Sequence, residues 1–389
     1  MPIPVYFDHN ATTPLDPRVR DAMLPWLGAS WGNPSSIHRF GQAAREAVEE
    51  ARERVARLLG ADPPEIVFAA SGTEANNAVI ADILARHPEG GRIVASAVEH
   101  PSILGALERW AVPRGFEIVR VAPGADGVVA VDELAAALTA DTRLAALMLA
   151  NNELGTIQPV SAVGALCRAR GIPLLCDAVQ AAGKIAIDVE RLGADFVVVA
   201  GHKFHGPLGA AALWIRGGVP FEAYLVGGSQ ERRRRASTVN VPAVVGFGAA
   251  CDQARRELGE RAAHLAALRD RFESGVAAIA GARLHSTSAP RLPNVAHVAF
   301  PGLVGQDLMI RLDLAGFAVS TGAACASGTV EPSGVLLATG MPRAEALASI
   351  RVSFGLPNRA AEVERFLPVL VAEVAALRDA ALEAAGAGR

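Results

Sequence analysis

The chain has 389 residues, of which 51% are hydrophobic and 20% are charged, and its formal net charge at pH 7 is −3. This length is sufficient for two domains, and the composition predicts a large apolar core rather than a disordered chain. The small net charge gives no general attraction to nucleic acid or to anionic membranes. No run of about 18 apolar residues is present, so no segment is expected to span a bilayer.

The N-terminus and the cysteines indicate the compartment. The first residues, MPIPVYFDHN, lack the basic start and apolar segment of a signal peptide, which predicts a cytoplasmic protein. The cysteines are far apart and form no CxxC pair, so neither a disulfide framework nor a zinc site made by this protein alone is indicated. Cys167, Cys176 and Cys251 lie in apolar segments and are expected in the core, whereas Cys325 does not.

The first two thirds of the chain predict an α/β fold. After a short strand and turn within residues 1–14, residues 42–59 show the apolar spacing of an amphipathic helix. Short apolar runs then alternate with helical stretches, and these runs are residues 66–68, 93–94, 144–149, 174–175, 196–199 and 211–215. Such alternation predicts a mainly parallel sheet flanked by helices on both faces.

A polar cluster follows each of the first five apolar runs. These clusters are Ser71 to Glu74, Glu99 with His100, Asn151 to Glu153, Asp177 with Gln180, and His202 with Lys203. In a parallel sheet, ligands bind at the carboxyl ends of the strands, so the clusters are expected to converge on one pocket.

Asp177 and Lys203 are the most informative pair. A lysine can form a Schiff base with a carbonyl cofactor, and an aspartate can keep a pyridine nitrogen protonated, which together suit pyridoxal phosphate (PLP). Ser71-Gly72-Thr73 opens a predicted helix over 74–84, and its N-terminus suits a phosphate, although the same pattern also makes an ordinary N-cap. The absence of GxGxxG and GxxxxGK argues against dinucleotides and P-loop nucleotides.

The C-terminal third predicts a smaller α+β domain. Helices are expected over 253–279 and 360–385, with short strands over 294–300, 318–320 and 349–354 between them. We therefore expect a large domain of residues 15–255 and a small domain of residues 1–14 and 256–389.

Three features of the chain allow two interpretations each. Residues 320–334 are mostly small or polar and surround Cys325, which predicts a mobile loop carrying either a reactive thiol or an incidental one. Arg351 suits bidentate binding of a carboxylate, or else an ordinary ion pair. The run ERRRR at 231–235 is either a solvated face or a contact for a phosphate or an acidic partner.

The chain resembles the PLP-dependent cysteine desulfurases of the class-V aminotransferase family, which supply sulfur for iron–sulfur clusters, including those of nitrogen fixation. The motifs that carry this resemblance stand in family order from end to end: YFDHNATTP, GNPSSIHRFG, EIVFAASGTEANN, VEHPSI, ANNELGT, DAVQAAGK, GHKFHGP, GGSQERRRRAST, LPNVAHVAF, STGAACASGTVEPS and IRVSFG. The cysteine loop is similar to that of the long-loop group. The resemblance implies the fold of a fold-type I PLP enzyme.

The resemblance also implies a role for individual residues. Lys203 would bind the cofactor covalently, and His100 would stack on its ring and transfer protons. The remaining cofactor contacts would be Gly72, Thr73, Asn152, Asp177 (ring nitrogen), Gln180 (phenolic oxygen), Ala200, Gly201, His202 and, from the other subunit of a homodimer, Thr238. Asn152 and Arg351 would bind the substrate carboxylate. Cys325 would form a persulfide and could also be an iron–sulfur ligand shared with a partner.

Two positions depart from the family pattern. Ala200 stands where serine or cysteine often precedes GHK, and Ser237 stands where glycine usually precedes the threonine. Either change could weaken phosphate binding.

The resulting expectation is a homodimeric enzyme that converts L-cysteine to L-alanine and passes sulfur to an iron–sulfur scaffold or another acceptor protein. A selenocysteine lyase or an aminotransferase of the same fold is one alternative, and a sulfur-relay protein is the other.

Overall fold

The computed structural model describes residues 4–321 and 331–387. The strands within these residues are β1 (Val5–Tyr6), β2 (Ile66–Ala69), β3 (Gly91–Ser96), β4 (Phe116–Val121), β5 (Thr142–Ala146), β6 (Leu174–Asp177), β7 (Phe196–Ala200), β8 (Ala211–Ile215), β9 (Arg283–Leu284), β10 (Val295–Ala299), β11 (Phe317–Ala318) and β12 (Ser349–Ser353). The α-helices are α1 (Pro17–Met23), α2 (Arg39–Leu59), α3 (Gly72–Arg86), α4 (Pro101–Ala106), α5 (Val131–Ala137), α6 (Val160–Arg170), α7 (Val189–Leu192), α8 (Val241–Arg256), α9 (Leu258–Val276), α10 (Gly305–Leu314), α11 (Gly334–Ala338), α12 (Arg343–Leu347) and α13 (Ala360–Ala387). None of these helices combines the length and apolar character needed to cross a membrane.

The largest sheet contains seven strands in the order β2-β8-β7-β6-β5-β3-β4. Strand β8 runs antiparallel to both of its neighbours, β2 and β7, and the other pairs are parallel. The expectation of a mainly parallel sheet within an α/β fold is confirmed.

Helices cover both faces of this sheet because successive strand residues point to opposite sides. In β7, Phe196 and Val198 join one buried apolar cluster, whereas Val197 and Val199 join another. Helices α3 and α4 pack on the first face, and α2, α6 and α8 pack on the second. Because both faces are buried, the strands are continuous apolar runs, and polar side chains appear only where the strands end.

Helix α2 shows how local sequence sets the ends of an element. The sequence predicts this helix over 42–59, and in the structure it begins three residues earlier, at Arg39. The reason is a cap, since Nδ1 of His38 accepts the N–H of Gly41 at 3.3 Å. At the other end, Gly60 adopts a left-handed φ of 68°, which glycine tolerates without strain.

Two of the differences from the sequence-based prediction have a clear physical cause. The single helix expected over 253–279 is two helices, α8 and α9, because the backbone leaves the helical conformation at Glu257. Strand β4 was not foreseen. It lies at the edge of the sheet, where Glu117 and Arg120 are exposed, so its sequence lacks a continuous apolar run.

A second, smaller core surrounds the antiparallel sheet β12-β10-β9. Helices α9, α10 and α13 contribute to this core. Strand β1 pairs in parallel with β11, and Phe7 packs its ring against Phe354 and Phe366 at centroid distances of 5.3 Å. The N-terminal segment therefore packs with the C-terminal third of the chain and approaches the large sheet from that side.

Candidate active site

A cavity of about 340 Å³ lies at the carboxyl ends of β2, β3, β5, β6 and β7. Most of the predicted cofactor and substrate residues line it: Gly72, Thr73, His100, Asn152, Asp177, Gln180, Ala200, His202, Lys203 and Arg351. The parallel strands bring these residues together because each strand ends at the same edge of the sheet. Arg351 reaches the cavity from β12, and Asn10 reaches it from the N-terminal segment.

Lys203 belongs to a short 3-10 turn, Gly201–Lys203, directly after β7. Its Nζ donates hydrogen bonds to the backbone carbonyls of Asn10 (2.8 Å) and Ala11 (2.7 Å). Burial, with a smaller contribution from the Arg351 guanidinium, lowers the pKa of Lys203 to about 8. An appreciable fraction of the amine is therefore neutral near pH 7, and the neutral amine is the form that attacks a carbonyl carbon.

Asp177 is buried at the end of β6, and two hydrogen bonds fix its carboxylate. Oδ1 accepts the backbone N–H of Val179 at 3.0 Å, and Oδ2 accepts from the side-chain amide of Asn76 at 2.8 Å. Asn76 lies in α3, so this contact also ties the helix to the strand. The carboxylate is thus held at the cavity wall in one orientation.

His100 is joined to Asp177 through two intermediate side chains. Nδ1 of His100 accepts the N–H of Ser102 at 3.1 Å and lies 2.8 Å from its hydroxyl, so Nε2 bears the proton in the neutral ring. The Ser102 hydroxyl accepts from the amide of Asn76 at 3.0 Å. Burial lowers the pKa of His100, and the nearby Asp177 carboxylate opposes this shift.

The predicted phosphate site lies at the N-terminus of α3. Ser71 caps this helix with its hydroxyl. The next residue, Gly72, packs tightly against the neighbouring side chains of the cavity. An added Cβ at Gly72 would lie only 2.9 Å from the Val179 side chain. His202 lines the same cavity, and burial together with the Lys203 charge lowers its pKa to about 4, so the ring is neutral at pH 7. These groups offer backbone N–H donors and a neutral imidazole to an anion.

Arg351 forms the other end of the cavity. It is only 5% exposed, and it donates from Nη2 to Asp8 at 2.6 Å and from Nη1 to the carbonyl of Asn152 at 3.0 Å. Its Nε has no hydrogen-bond partner among the residues that the structure describes. The ion pair that the sequence left as an alternative therefore exists, and it holds the guanidinium where a ligand carboxylate could also reach it.

Three predicted residues do not line this cavity. Gly201 is buried beside it, and an added Cβ would lie 2.9 Å from the ring of Phe247. Thr238 is exposed, and its role in the site of the other subunit stays a prediction. Cys325 lies outside the described residues, as do its predicted roles as a persulfide carrier and an iron–sulfur ligand.

The arginine run at 231–235 is held by internal ion pairs. The buried carboxylate of Glu231 accepts from Arg52 at 2.8 and 2.9 Å and from the N–H of Phe68 at 2.8 Å. Arg235 pairs with Glu74 in the first turn of α3 at 2.8 Å. The two ends of the run are therefore tied to β2 and α3, whereas Arg232 and Arg233 between them are exposed.

The sequence analysis did not single out several residues that hold the site together. These are Asp8, Asn10, Asn76, Ser102 and Lys184. Asn10 is almost fully buried and contacts segments from both cores. Its N–H donates to Ser353 Oγ and its Oδ1 accepts from Asn294 Nδ2, both at 2.9 Å, while its carbonyl accepts from Gln180 Nε2 at 2.8 Å. For Lys184 a compositional signal was present, because lysine is very rare in this chain.

These residues fit pyridoxal phosphate. A lysine with a lowered pKa, an oriented carboxylate and the N-terminus of a 15-residue helix share one cavity. They suit, respectively, the aldehyde, the ring nitrogen and the phosphate of that cofactor.

Comparison with known proteins identifies the family. The model of the aminotransferase class-V family matches residues 5–366. Cysteine desulfurase IscS of Methanosarcina thermophila is 41% identical over 376 residues, which are 96% of this chain and 93% of the relative. The solved structure of a NifS-like protein superposes with a TM-score of 0.90 at 36% identity and covers 96% of this chain and 100% of its own. A second solved structure, SspA in complex with cysteine, has a TM-score of 0.80 at 30% identity and covers 90% of this chain and 98% of its own. The chain therefore belongs to the class-V aminotransferase family and, within it, to the PLP-dependent cysteine desulfurases.

Proposed function

We propose that this protein converts L-cysteine to L-alanine and transfers the substrate sulfur to Cys325 as a persulfide. The observation that carries the proposal is the single cavity in which Lys203 and Asp177 meet Arg351. A lysine and an acid for the cofactor and an arginine for a carboxylate are what an enzyme acting on an amino acid requires. The similarity to SspA, which was solved in complex with cysteine, supports cysteine as the substrate.

The cofactor would be held at three points. Asp177 would bind the ring nitrogen, Gln180 the phenolic oxygen and Lys203 the aldehyde carbon. The phosphate would bind at the N-terminus of α3, and the residues proposed for it are Gly72, Thr73, His202, the backbone of Ala200 and Gly201, and Thr238 of the partner subunit. When bound, PLP stabilises the negative charge that develops on the substrate Cα.

The remaining chemistry belongs to side chains of this protein. Arg351 and Asn152 bind and orient the substrate carboxylate. The neutral amine of Lys203 takes the Cα proton, and His100, whose Nε2 bears a proton, serves in proton transfer. The Cys325 thiolate then attacks the substrate sulfur. The carbon–sulfur bond breaks, its electron pair stays with the carbon fragment, and protonation of that fragment gives alanine.

The wider assembly follows from the same proposal. The protein would act in the cytoplasm as a homodimer, and the persulfide would pass to an iron–sulfur scaffold or another acceptor protein, with Cys325 also able to ligate a cluster iron there. Residues 15–255 would form the large domain, and residues 1–14 with 256–389 would form the small one. Separate apolar cores around the two sets of strands support this division.

The decisive experiment incubates the purified protein with L-cysteine, measures alanine and maps the added sulfur by mass spectrometry. We expect alanine together with a persulfide on Cys325. The Cys325→Ser variant should keep the visible absorbance of bound PLP but release no sulfide. Cys167→Ala is the matched control, because this thiol is fully buried and burial raises its pKa to about 12.

Three other outcomes would contradict the proposal. Undiminished sulfide from Cys325→Ser would remove the role of that thiol. A keto acid in place of alanine would indicate an aminotransferase. Sulfur binding without turnover of cysteine would indicate a relay protein.

A further inference from the structure

Lysine is almost absent from this protein. Of the 37 Lys and Arg residues only two are lysines, Lys184 and Lys203, and every other basic position carries arginine. Arginine supplies a permanent charge, whereas lysine supplies a compact amine that can lose its proton when it is buried. Lys203 lines the active-site cavity, and Lys184 lies behind it. A second lysine in this one place, and none on the surface, calls for a chemical explanation.

Lys184 is buried without a carboxylate partner. Its side chain is almost fully covered, and Nζ donates to Oε1 of Gln180 at 2.8 Å and to Oδ1 of Asn10 at 3.3 Å. Both acceptors are neutral, and no ion pair involves Lys184 within residues 4–321 and 331–387. A buried ammonium that lacks an opposite charge is costly, so this position favours an amine whose counter-charge is supplied from elsewhere.

The surroundings of Lys184 contain basic groups. The titratable and charged groups that face it are His9, His202, Lys203, His205, Arg261 and Arg351. Burial, followed by the charges of Lys203 and Arg351, lowers the pKa of Lys184 well below its usual range. An anion bound in the neighbouring cavity would instead raise the pKa of Lys184 and favour its protonated amine.

Gln180 connects Lys184 to that cavity. Its Nε2 donates to the carbonyl of Asn10 at 2.8 Å, while its Oε1 accepts from Lys184. A backbone carbonyl can only accept, so both contacts require the same orientation of the amide. The second N–H of Gln180 then remains for a ligand in the cavity, which this residue lines. The same Asn10 carbonyl accepts the Lys203 amine at 2.8 Å.

We propose that Lys184 is a positioning residue for the cofactor, which holds the Gln180 amide as a donor to the phenolic oxygen of PLP and supplies positive charge behind it. Lys184 does not line the cavity and would act on the cofactor through Gln180. The inference rests on the proposed function, because it requires PLP in this cavity. In turn, the buried ammonium of Lys184 would be stabilised by the negative charge of bound PLP.

The first test observes Lys184 directly. Protein labelled with ¹³C at lysine Cε gives signals from two lysines, and Lys184→Met assigns them. We expect PLP binding to raise the pH midpoint of the Lys184 signal by about one unit or more. An unchanged or lowered midpoint would overturn the proposal.

The second test measures the dissociation constant of PLP for the cofactor-free protein in a double-mutant cycle. Lys184→Met should weaken binding about tenfold in the wild-type background, as expected for a lost charge-assisted contact. In the Gln180→Leu background the same change should alter binding by less than about twofold, because Lys184 acts through Gln180. Equal effects in the two backgrounds, or no effect in either, would refute the proposal.

Two controls separate this inference from simpler explanations. Lys184→Gln keeps a donor and removes the charge, so it tests the charge if the methionine variant does not fold. The pH midpoint of the visible band of bound PLP should also shift in Lys184→Gln. A purely structural role of Lys184 would leave this midpoint unchanged. If wild-type protein binds no PLP, the proposed function fails. If it binds PLP and the Lys184 variants bind equally well, only the role of Lys184 fails.

Discussion

Arg351 donates a hydrogen bond from Nη2 to Oδ1 of Asp8 over 2.6 Å, so the arginine proposed for the substrate carboxylate already holds a carboxylate of the chain. The Arg351 side chain is 6% exposed and the Asp8 side chain is 21% exposed. The pair joins β12 to the N-terminal segment. The geometry of the proposed substrate site therefore depends on the N-terminal segment as well as on β12.

Replacing Arg351 with lysine should lower kcat/KM for L-cysteine by about 10- to 100-fold, mainly through KM. An ammonium cannot contact Asp8, the Asn152 carbonyl and a substrate carboxylate at once, as the guanidinium fork can. Steady-state kinetics of alanine formation would measure the change. Arg283→Lys is the matched control, since Arg283 makes an exposed ion pair with Glu345. A kcat/KM within twofold of wild type for Arg351→Lys would argue against its assigned role.

The attachment of PLP to the cofactor-free protein should accelerate as the pH rises through about 8. Burial lowers the pKa of Lys203 to about 8, and only the neutral amine attacks the cofactor aldehyde. Below that pH the rate should fall by about tenfold per unit, because the neutral fraction falls in that proportion. The growth of the visible absorbance band after mixing reports this rate. A rate that is constant between about pH 7 and 9 would contradict the pKa assignment.

Glu99 should make the fold less stable as the pH rises. It is buried beside His100, and its Oε1 accepts from the Ser96 hydroxyl and from the N–H of Met148, both at 2.6 Å. Burial raises its pKa to about 8, above the value near 4.3 of an unfolded chain. Between these values the folded state binds a proton that the unfolded state lacks, so stability declines from about pH 4 to pH 8.

The Glu99→Gln variant should lose this part of the pH dependence, because its neutral amide does not titrate. The difference in unfolding free energy between pH 5 and pH 8 should shrink by an amount on the order of a few kcal/mol. Denaturant unfolding of the cofactor-free protein at several pH values would show it. Identical pH profiles for the two proteins would mean that Glu99 is already ionised in the fold.

Ser237→Gly should raise the melting temperature. Ser237 adopts φ 101°, a conformation that L residues with a side chain rarely adopt, and the strain is of the order of 1 kcal/mol. Thermal unfolding monitored by circular dichroism measures the effect. Ser229→Gly is the control, because Ser229 has an ordinary φ of −85° and glycine there only adds freedom to the unfolded chain. An equal change in both variants would show that backbone strain at Ser237 is not the cause.

The sequence alone predicted the mainly parallel sheet and the placement of Asp177 and Lys203 at the ends of two of its strands. Apolar runs alternating with helical periodicity predicted a mainly parallel sheet, and Asp177 and Lys203 marked the carboxyl ends of β6 and β7. These features are local, because the periodicity of apolar residues and the length of each strand are set by residues that lie close together in the chain. The sequence did not predict the edge strand β4, because only a strand that is buried on both faces must be apolar throughout and β4 is partly exposed.

Only the tertiary structure decided which distant groups serve the same site. Asn10 contacts Asn294, which lies 284 positions later in the chain, and also Lys184 and Lys203. Nothing in the spacing of these residues signals the contacts, because hydrogen-bond partners across two separate cores are set when those cores pack together. The sequence thus determined the reactive groups of this protein, while the packing of the N-terminal segment against both cores determined their partners and, through burial, their protonation.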